Sequence, residues 1–328
     1  MKRFTAISAL AAVIVLAGCS SISPPISTLP ATSTLRNQTS PVMRDGDTTV
    51  LYAAAGGIPS GPVWGYRLPS RKPFCNFLVT PGSQEGIGVD STGTLWVPDG
   101  AETFSYAPDC GDSGTSLISP GDYLATNIAF GQDGTKYVLL TRPEPPFKGP
   151  NFAEVALYPQ GATSPSGVLT DRDLTSAPNA VGLDSIGNVY VSCCELENRK
   201  HPKKPVIIVF KAGGSTKHGK HIPLAGMGET PSLSILFDQS KKMILGDPDH
   251  DTINVYAPPY TGQPVTHTFP AYAPGQCAFN RKKTVIACPD YGYGDIYVYG
   301  YPSFTLRYVL KPAFEATTGV AMFPPAPN

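Results

Sequence analysis

The 328-residue chain carries 25 basic and 25 acidic side chains, a balance that argues against a general nucleic-acid binder, which needs a basic face to neutralise phosphate. Its 35 prolines and 33 glycines leave few long helix-compatible windows, while 41% apolar residues suffice to bury a large core. The composition therefore predicts one all-β domain rather than a disordered chain.

The first residues read as a targeting segment. Met1-Lys2-Arg3 is a short positive region, and Ala9–Ala17 is apolar but too short to cross a membrane. Leu16-Ala17-Gly18-Cys19 follows, with small residues set before a cysteine. This layout resembles a bacterial lipoprotein signal. The resemblance implies a signal peptide over 1–18, cleavage before Cys19, and acylation of the Cys19 thiol by palmitate-class chains. The expected address is the cell envelope, with the protein held to the membrane by lipid. Ser20 after the cysteine resembles lipoproteins sent to the outer membrane of two-membrane bacteria. Loss of Lys2 and Arg3 leaves 23 basic and 25 acidic residues, a net charge of −2. Residues 19–47, rich in Ser, Thr and Pro with no apolar period, read as a tether. No later apolar run is long enough to span a bilayer.

From residue 48 onward one phrase recurs. Its clearest copy, NAVGLDSIGNVYV at Asn179–Val191, predicts two short strands joined by a tight turn that Asp184 opens and Gly187 closes. Gly86–Val97, Asn127–Val138, Ser234–Leu245 and Gln276–Ala287 align with it without gaps. The anchors Ile87, Ile128, Val181, Ile235, Cys277 and Val320 lie 41, 53, 54, 42 and 43 residues apart, a period of propeller blades or similar arrays. After each hairpin comes a strand ending in an aromatic: Tyr66, Tyr106, Tyr158, Phe210, Tyr256 and Tyr299. A further strand makes four per unit, labelled a to d. The first unit lacks strand a, and Thr318–Phe323 is a lone strand a, so the two fragments complete one blade. The expected fold is a six-bladed β-propeller of four-stranded antiparallel blades over 48–328, closed by the C-terminal strand. The units resemble those of the NHL-repeat and gluconolactonase-like propellers over roughly residues 48–324.

That resemblance implies strand a along the central channel, with the d–a and b–c loops on one face. It also implies a divalent cation at the channel mouth, for which Glu85, Asn179, Asp99 and Asp247 are the candidate ligands. Oxygen donors of this kind suit Ca²⁺, which could polarise an ester or lactone carbonyl. The equivalents of Asp99 are Leu140, Cys193 and Pro289 in other blades, so the ligand pattern is incomplete. The adopted reading is that these residues cap turns, without cofactor. Gly111-Asp112-Ser113-Gly114 resembles a protease nucleophile segment but reads as c–d turn chemistry. His218 and His221 lack a carboxylate or cysteine at ligand spacing and read as solvated surface. Six cysteines remain after Cys19. Cys277 and Cys288 lie on one hairpin, Cys75 and Cys110 near the outer parts of adjacent units, and Cys193-Cys194 form a vicinal pair of open state.

The irregular blades point to a binding surface. Anchor to aromatic is 19, 21 and 22 residues in units two, five and six, but 30 and 29 in units three and four. The extra length lies in the b–c loops 142–152 and 195–205. These carry the ligand-binding candidates Arg142, Lys148, Arg199, Lys200, Lys203 and Lys204, a local basic excess. The expectation is a monomeric binding or scaffolding module for an anionic envelope polymer or a protein partner. The alternative is a metal-dependent lactonase or esterase.

Overall fold

A strand enclosed between two other sheets must be apolar on both faces, and the first strand of this protein meets that condition. β1 (Thr49–Ala55) is buried from Val50 to Ala55. Val50, Tyr52 and Ala54 face one neighbouring blade, while Leu51 and Ala53 face the other. The computed structural model describes residues 49–56, 61–79, 86–142, 153–174, 178–195, 204–312 and 316–327, all within one compact unit. Residues 1–48, on which Cys19 and the expected signal segment and tether fall, lie outside the described residues.

The described strands form six four-stranded antiparallel sheets, and the chain is a six-bladed β-propeller. The inner strands are β4 (Gly88–Val89), β8 (Leu124–Phe130), β12 (Ala180–Leu183), β16 (Ile235–Phe237), β20 (Ala278–Phe279) and β24 (Thr317–Phe323). Next outward come β1, β5 (Leu95–Asp99), β9 (Lys136–Thr141), β13 (Val189–Glu195), β17 (Met243–Asp247) and β21 (Val285–Pro289). The third strands are β2 (Pro62–Leu68), β6 (Glu102–Tyr106), β10 (Ala153–Tyr158), β14 (Lys204–Phe210), β18 (Thr252–Tyr256) and β22 (Ile296–Gly300). The outer strands are β3 (Lys72–Leu78), β7 (Asp112–Ile118), β11 (Gly167–Leu169), β15 (Lys220–Pro223), β19 (Val265–Thr268) and β23 (Thr305–Leu310). The expected closure is present: β24 pairs antiparallel with β1, Ala53 opposite Val320 and Val50 opposite Phe323. Asp112 and Ser113, read from sequence as part of a turn, instead begin β7.

Six apolar clusters hold the ring, one at each blade-to-blade interface. The aromatics that end the third strands sit in these seams, and some add a polar staple. The Tyr158 hydroxyl donates to the Ile118 carbonyl of the preceding blade at 2.8 Å, and Tyr256 to Ala225 at 2.7 Å. The hairpin turns follow the sequence logic. Asp184 Oδ1 accepts from the N–H groups of Ile186 and Asn188, and its Oδ2 from the Tyr190 hydroxyl. The left-handed position of this turn is Gly93 (φ 92°), Gly134 (φ 79°) and Gly187 (φ 83°) in blades two to four. In the eroded blades five and six it is Lys241 (φ 61°) and Lys283 (φ 48°). Disulfides join Cys75 to Cys110 across blades one and two, and Cys277 to Cys288 within the hairpin of blade six.

Candidate functional site

On the face carrying the d–a and b–c loops, backbone and polar side-chain groups at the starts of the inner strands are bonded from blade to blade. Gly86 N–H donates to the Thr126 carbonyl at 3.0 Å, tying blade two to blade three. Asn127, on β8, donates from Nδ2 to the Asn179 carbonyl at 3.4 Å, and Asn179 Nδ2 donates to the Pro231 carbonyl at 3.2 Å. Ser234 Oγ accepts from Cys277 N–H at 3.1 Å, joining blades five and six. Gln276 then bonds its own backbone to β24, donating to the Thr318 carbonyl at 2.9 Å. Its side-chain amide reaches blade two, accepting from Ile87 N–H and donating to the Ile87 carbonyl. Gly86 is where this belt is tightest: a Cβ there would stand 2.3 Å from Asn127 Nδ2 and 2.9 Å from Gln276 Oε1.

Of these residues, sequence reasoning found only Asn179. Asn127, Ser234 and Gln276 all occupy the position before the strand-a anchor. A polar residue recurring in that otherwise apolar register was the available signal.

The structure places the candidate cation ligands apart in role. Asp247, at the end of β17, is fully buried and organises its own turn. It accepts from the backbone N–H groups of Gly228, Asp249 and His250 and pairs with the His250 ring at 2.9 Å. Asp99 is buried at the matching end of β5. Asn179 spends its amide nitrogen on Pro231, and Glu85 lies outside the described residues. In the belt itself, Asn127 is fully buried and its Oδ1 has no hydrogen-bond partner among the described residues. One such oxygen does not make the six to eight that Ca²⁺ takes. Among the described residues, no group of three His, Cys, Asp or Glu donors that includes Asp99 or Asp247 gathers within metal-ligand reach.

Of the basic candidates, Lys148, Arg199, Lys200 and Lys203 lie outside the described residues, and Lys204 opens β14. Arg142 is placed differently from a solvated ligand-seeking charge. Its guanidinium lies over the Tyr123 ring, 4.6 Å from the centroid, beside Glu154. Burial pushes the Glu154 carboxyl above the usual carboxylate range, and Arg142 and the Tyr123 hydrogen bond pull it back.

The same face carries an aromatic group that the sequence reading passed over. Tyr291, Gly292 and Tyr293 form the b–c loop of blade six, and Tyr272 lies in the preceding d–a loop. Tyr272 is 61% exposed and Tyr293 73%. The two loops are joined by a 2.8 Å bond from Tyr291 N–H to the Ala273 carbonyl. Tyr272 lies so close over Gly292 that a Cβ there would come within 2.7 Å of its ring. Glycine at 292 is thus what lets the Tyr272 ring approach the neighbouring loop so closely. The repeated YGYG of residues 291–294 was the sequence signal.

One sequence reading is corrected outright. His218 is exposed, but His221 is not solvated surface: it meets Asp171 and Asp173 of blade three. Those carboxylates arrive from about fifty positions earlier, across a blade seam, where no local spacing could announce them.

Comparison with known proteins adds the fold alone. No protein-family model matches the chain, and no curated protein sequence does. A protein of unknown function from Bacteroides caccae is similar with a TM-score of 0.64 at 8% identity, over 84% of this chain and 99% of that one. A chain of the nidogen/laminin complex gives 0.57 at 15% identity, over 84% and 98%.

Proposed function

We propose that this protein is a lipid-anchored binding module of the cell envelope, with the face of d–a and b–c loops as its ligand surface. The observation that carries the reading is the tyrosine group of that face: large amphipathic side chains, exposed, and backed by loop-to-loop bonds rather than by their own flexibility. Tyrosines held in this way offer contact area at low entropic cost. The b–c loops of blades three and four depart from the same face and bring Lys148, Arg199, Lys200, Lys203 and Lys204, which suit an anionic envelope polymer or an acidic protein surface. Each exposed pair would contribute about 1 kcal/mol or less, so the charges act together and weaken with salt. Acylation at Cys19 would hold the module at the membrane, on the outer membrane where the host has two. The same fold occurs in a chain of the nidogen/laminin complex, an assembly of two proteins by its title, and the likeness stops at the fold. A lactonase or esterase is the less supported reading, because the described donors do not assemble its cation.

The test compares the full chain in detergent with two variants, one with Arg199, Lys200, Lys203 and Lys204 changed to Ser and one with Tyr272 and Tyr293 changed to Ser. Retention on isolated envelope polymers is read at low and high salt. The basic variant is expected to lose the salt-sensitive part of retention and the tyrosine variant the salt-resistant part. Equal retention of all three proteins at both salts would refute the assignment of this face.

A further inference from the structure

We propose that Asp171, Asp173 and His221 form a site for one zinc-class divalent cation at the seam between blades three and four. The group joins the d–a segment of blade three to β15 of blade four and shares no residue with the belt at the channel mouth or with the tyrosine group. Among the described residues it is the only group of three metal-ligating side chains of this kind, with one ring nitrogen and one oxygen from each aspartate all within 4.8 Å.

The two carboxylates stand two positions apart on the turn that follows β11, and the imidazole comes from β15 of the next blade. His221 Nε2 lies 3.2 Å from Asp171 Oδ1, and Nδ1 lies 3.4 Å from Asp173 Oδ2. Tetrahedral zinc with bonds of about 2.0–2.2 Å sets its donors about 3.3–3.5 Å from one another. The Asp171–His221 edge, at 3.2 Å, is just under that spacing. Asp173 Oδ2 stands against the other ring nitrogen, so a zinc on Nε2 would require this carboxylate to turn toward it, with solvent water completing the shell.

Backbone groups hold the donors in place, which is the arrangement that orients metal ligands. Asp171 Oδ2 accepts from Gly219 N–H at 2.8 Å and Oδ1 from Asp173 N–H at 3.0 Å. A backbone bond from Thr170 to Thr216 at 2.7 Å fixes the two blades against each other beside the site. Charge favours a divalent ion as well. Asp171 is 4% exposed and Asp173 9%, so both carboxylates lose hydration while repelling each other. Among the described residues, the further ion pair at the group is with Arg172, 3.5 Å from Asp173, whose side chain is 87% exposed and strongly screened. A mixed nitrogen and oxygen donor set selects zinc over the oxygen-seeking Ca²⁺ and Mg²⁺. The competing account of the same geometry is an imidazole pinned between two carboxylates with no affinity for metal.

The experiment titrates Zn²⁺ into the chelator-stripped full chain by calorimetry and follows its thermal midpoint with and without the ion. The expected result is one tightly bound Zn²⁺ per chain and a raised midpoint. His221→Gln keeps hydrogen-bonding capacity beside both carboxylates but is a poor zinc ligand, and should weaken binding about tenfold or more while leaving the metal-free protein folded. Asp171→Asn and Asp173→Asn should do the same, whereas His218→Ala should bind as wild type. Absence of stoichiometric binding to wild type would leave the ion-pair account and overturn the proposal. Zinc lost with His218→Ala but kept in His221→Gln would place the ion on the exposed loop and overturn it equally.

Discussion

Gln276 of blade six and Ile87 of blade two are joined as two strand residues would be. The side-chain amide accepts from the Ile87 N–H at 2.7 Å and donates to the Ile87 carbonyl at 3.0 Å. One residue thus supplies both partners for a backbone unit whose own side chain is 1% exposed. Gln276→Ala should destabilise the protein by about 1–3 kcal/mol, the cost of leaving buried backbone groups unpaired. Gln276→Glu should also destabilise, since a carboxylate sets a negative charge against the Ile87 carbonyl. Urea midpoints equal to wild type in both variants would show that water replaces the amide at no cost.

The turns of blades five and six place lysine where blades two to four place glycine. A left-handed conformation costs an L-residue about 1–2 kcal/mol, against about 0.5–1 kcal/mol of extra chain entropy lost by glycine. Lys241 is exposed, so Lys241→Gly should stabilise by roughly 0.5 to 1 kcal/mol. Lys283 is only 7% exposed and buries its stem, so Lys283→Gly should lose packing and show no such gain. Calorimetric midpoints of the two variants, measured side by side, decide the point; a lower midpoint for Lys241→Gly would count against turn strain.

His250 should titrate above an ordinary histidine. The hydrogen bond to Asp247 and then its charge raise the imidazole pKa, with smaller help from Asp249 and Asp251. A raised folded pKa means stabilisation that is complete below the unfolded value of about 6.5 and lost as pH rises through the folded one. The His250 side chain is 59% exposed, so this contribution is small. Proton NMR titration should find the His250 midpoint above the unfolded value in wild type and near it in Asp247→Asn. A wild-type midpoint at or below the unfolded value would contradict the pairing.

The seam tyrosines should divide into two kinds. Tyr158→Phe and Tyr256→Phe each remove a hydroxyl that donates to the neighbouring blade, at an expected cost of about 1 kcal/mol. The Tyr299 hydroxyl is buried with no partner among the described residues, so Tyr299→Phe should be neutral or stabilising. Chemical denaturation of the three single variants tests the contrast, and a uniform loss would sink it.

The blades were legible in the sequence because each strand obeys a local rule. Alternation marks the hairpins, and Asp184 with Gly187 marks the turn. The missing strand before Leu51 and the surplus one at Val320 together announce the closure. Local rules do not reach across seams. Gln276 and Asn127 were not singled out, because their partners Ile87 and Asn179 lie in other blades. His221 read as surface for the same reason. Tyr272 and Tyr293 went unremarked because exposed aromatics have no period to betray them. Arg142 was grouped with the loop lysines by sequence neighbourhood alone, whereas Tyr123 and Glu154 claim it in space.

Blade one has a consequence in time as well as in space. Thr318 bonds to the Ala54 carbonyl across 264 positions of sequence, so β1 waits for its inner partner until nearly all of the other strands exist. Contacts of such sequence separation form slowly. During that interval β1, with its run of buried apolar side chains, presents an unpaired edge that any passing strand could join. The interval between the emergence of β1 and the arrival of β24 is therefore when this edge is most exposed to aggregation, and during synthesis its length is set by the rate at which the chain emerges rather than by the stability of the finished ring.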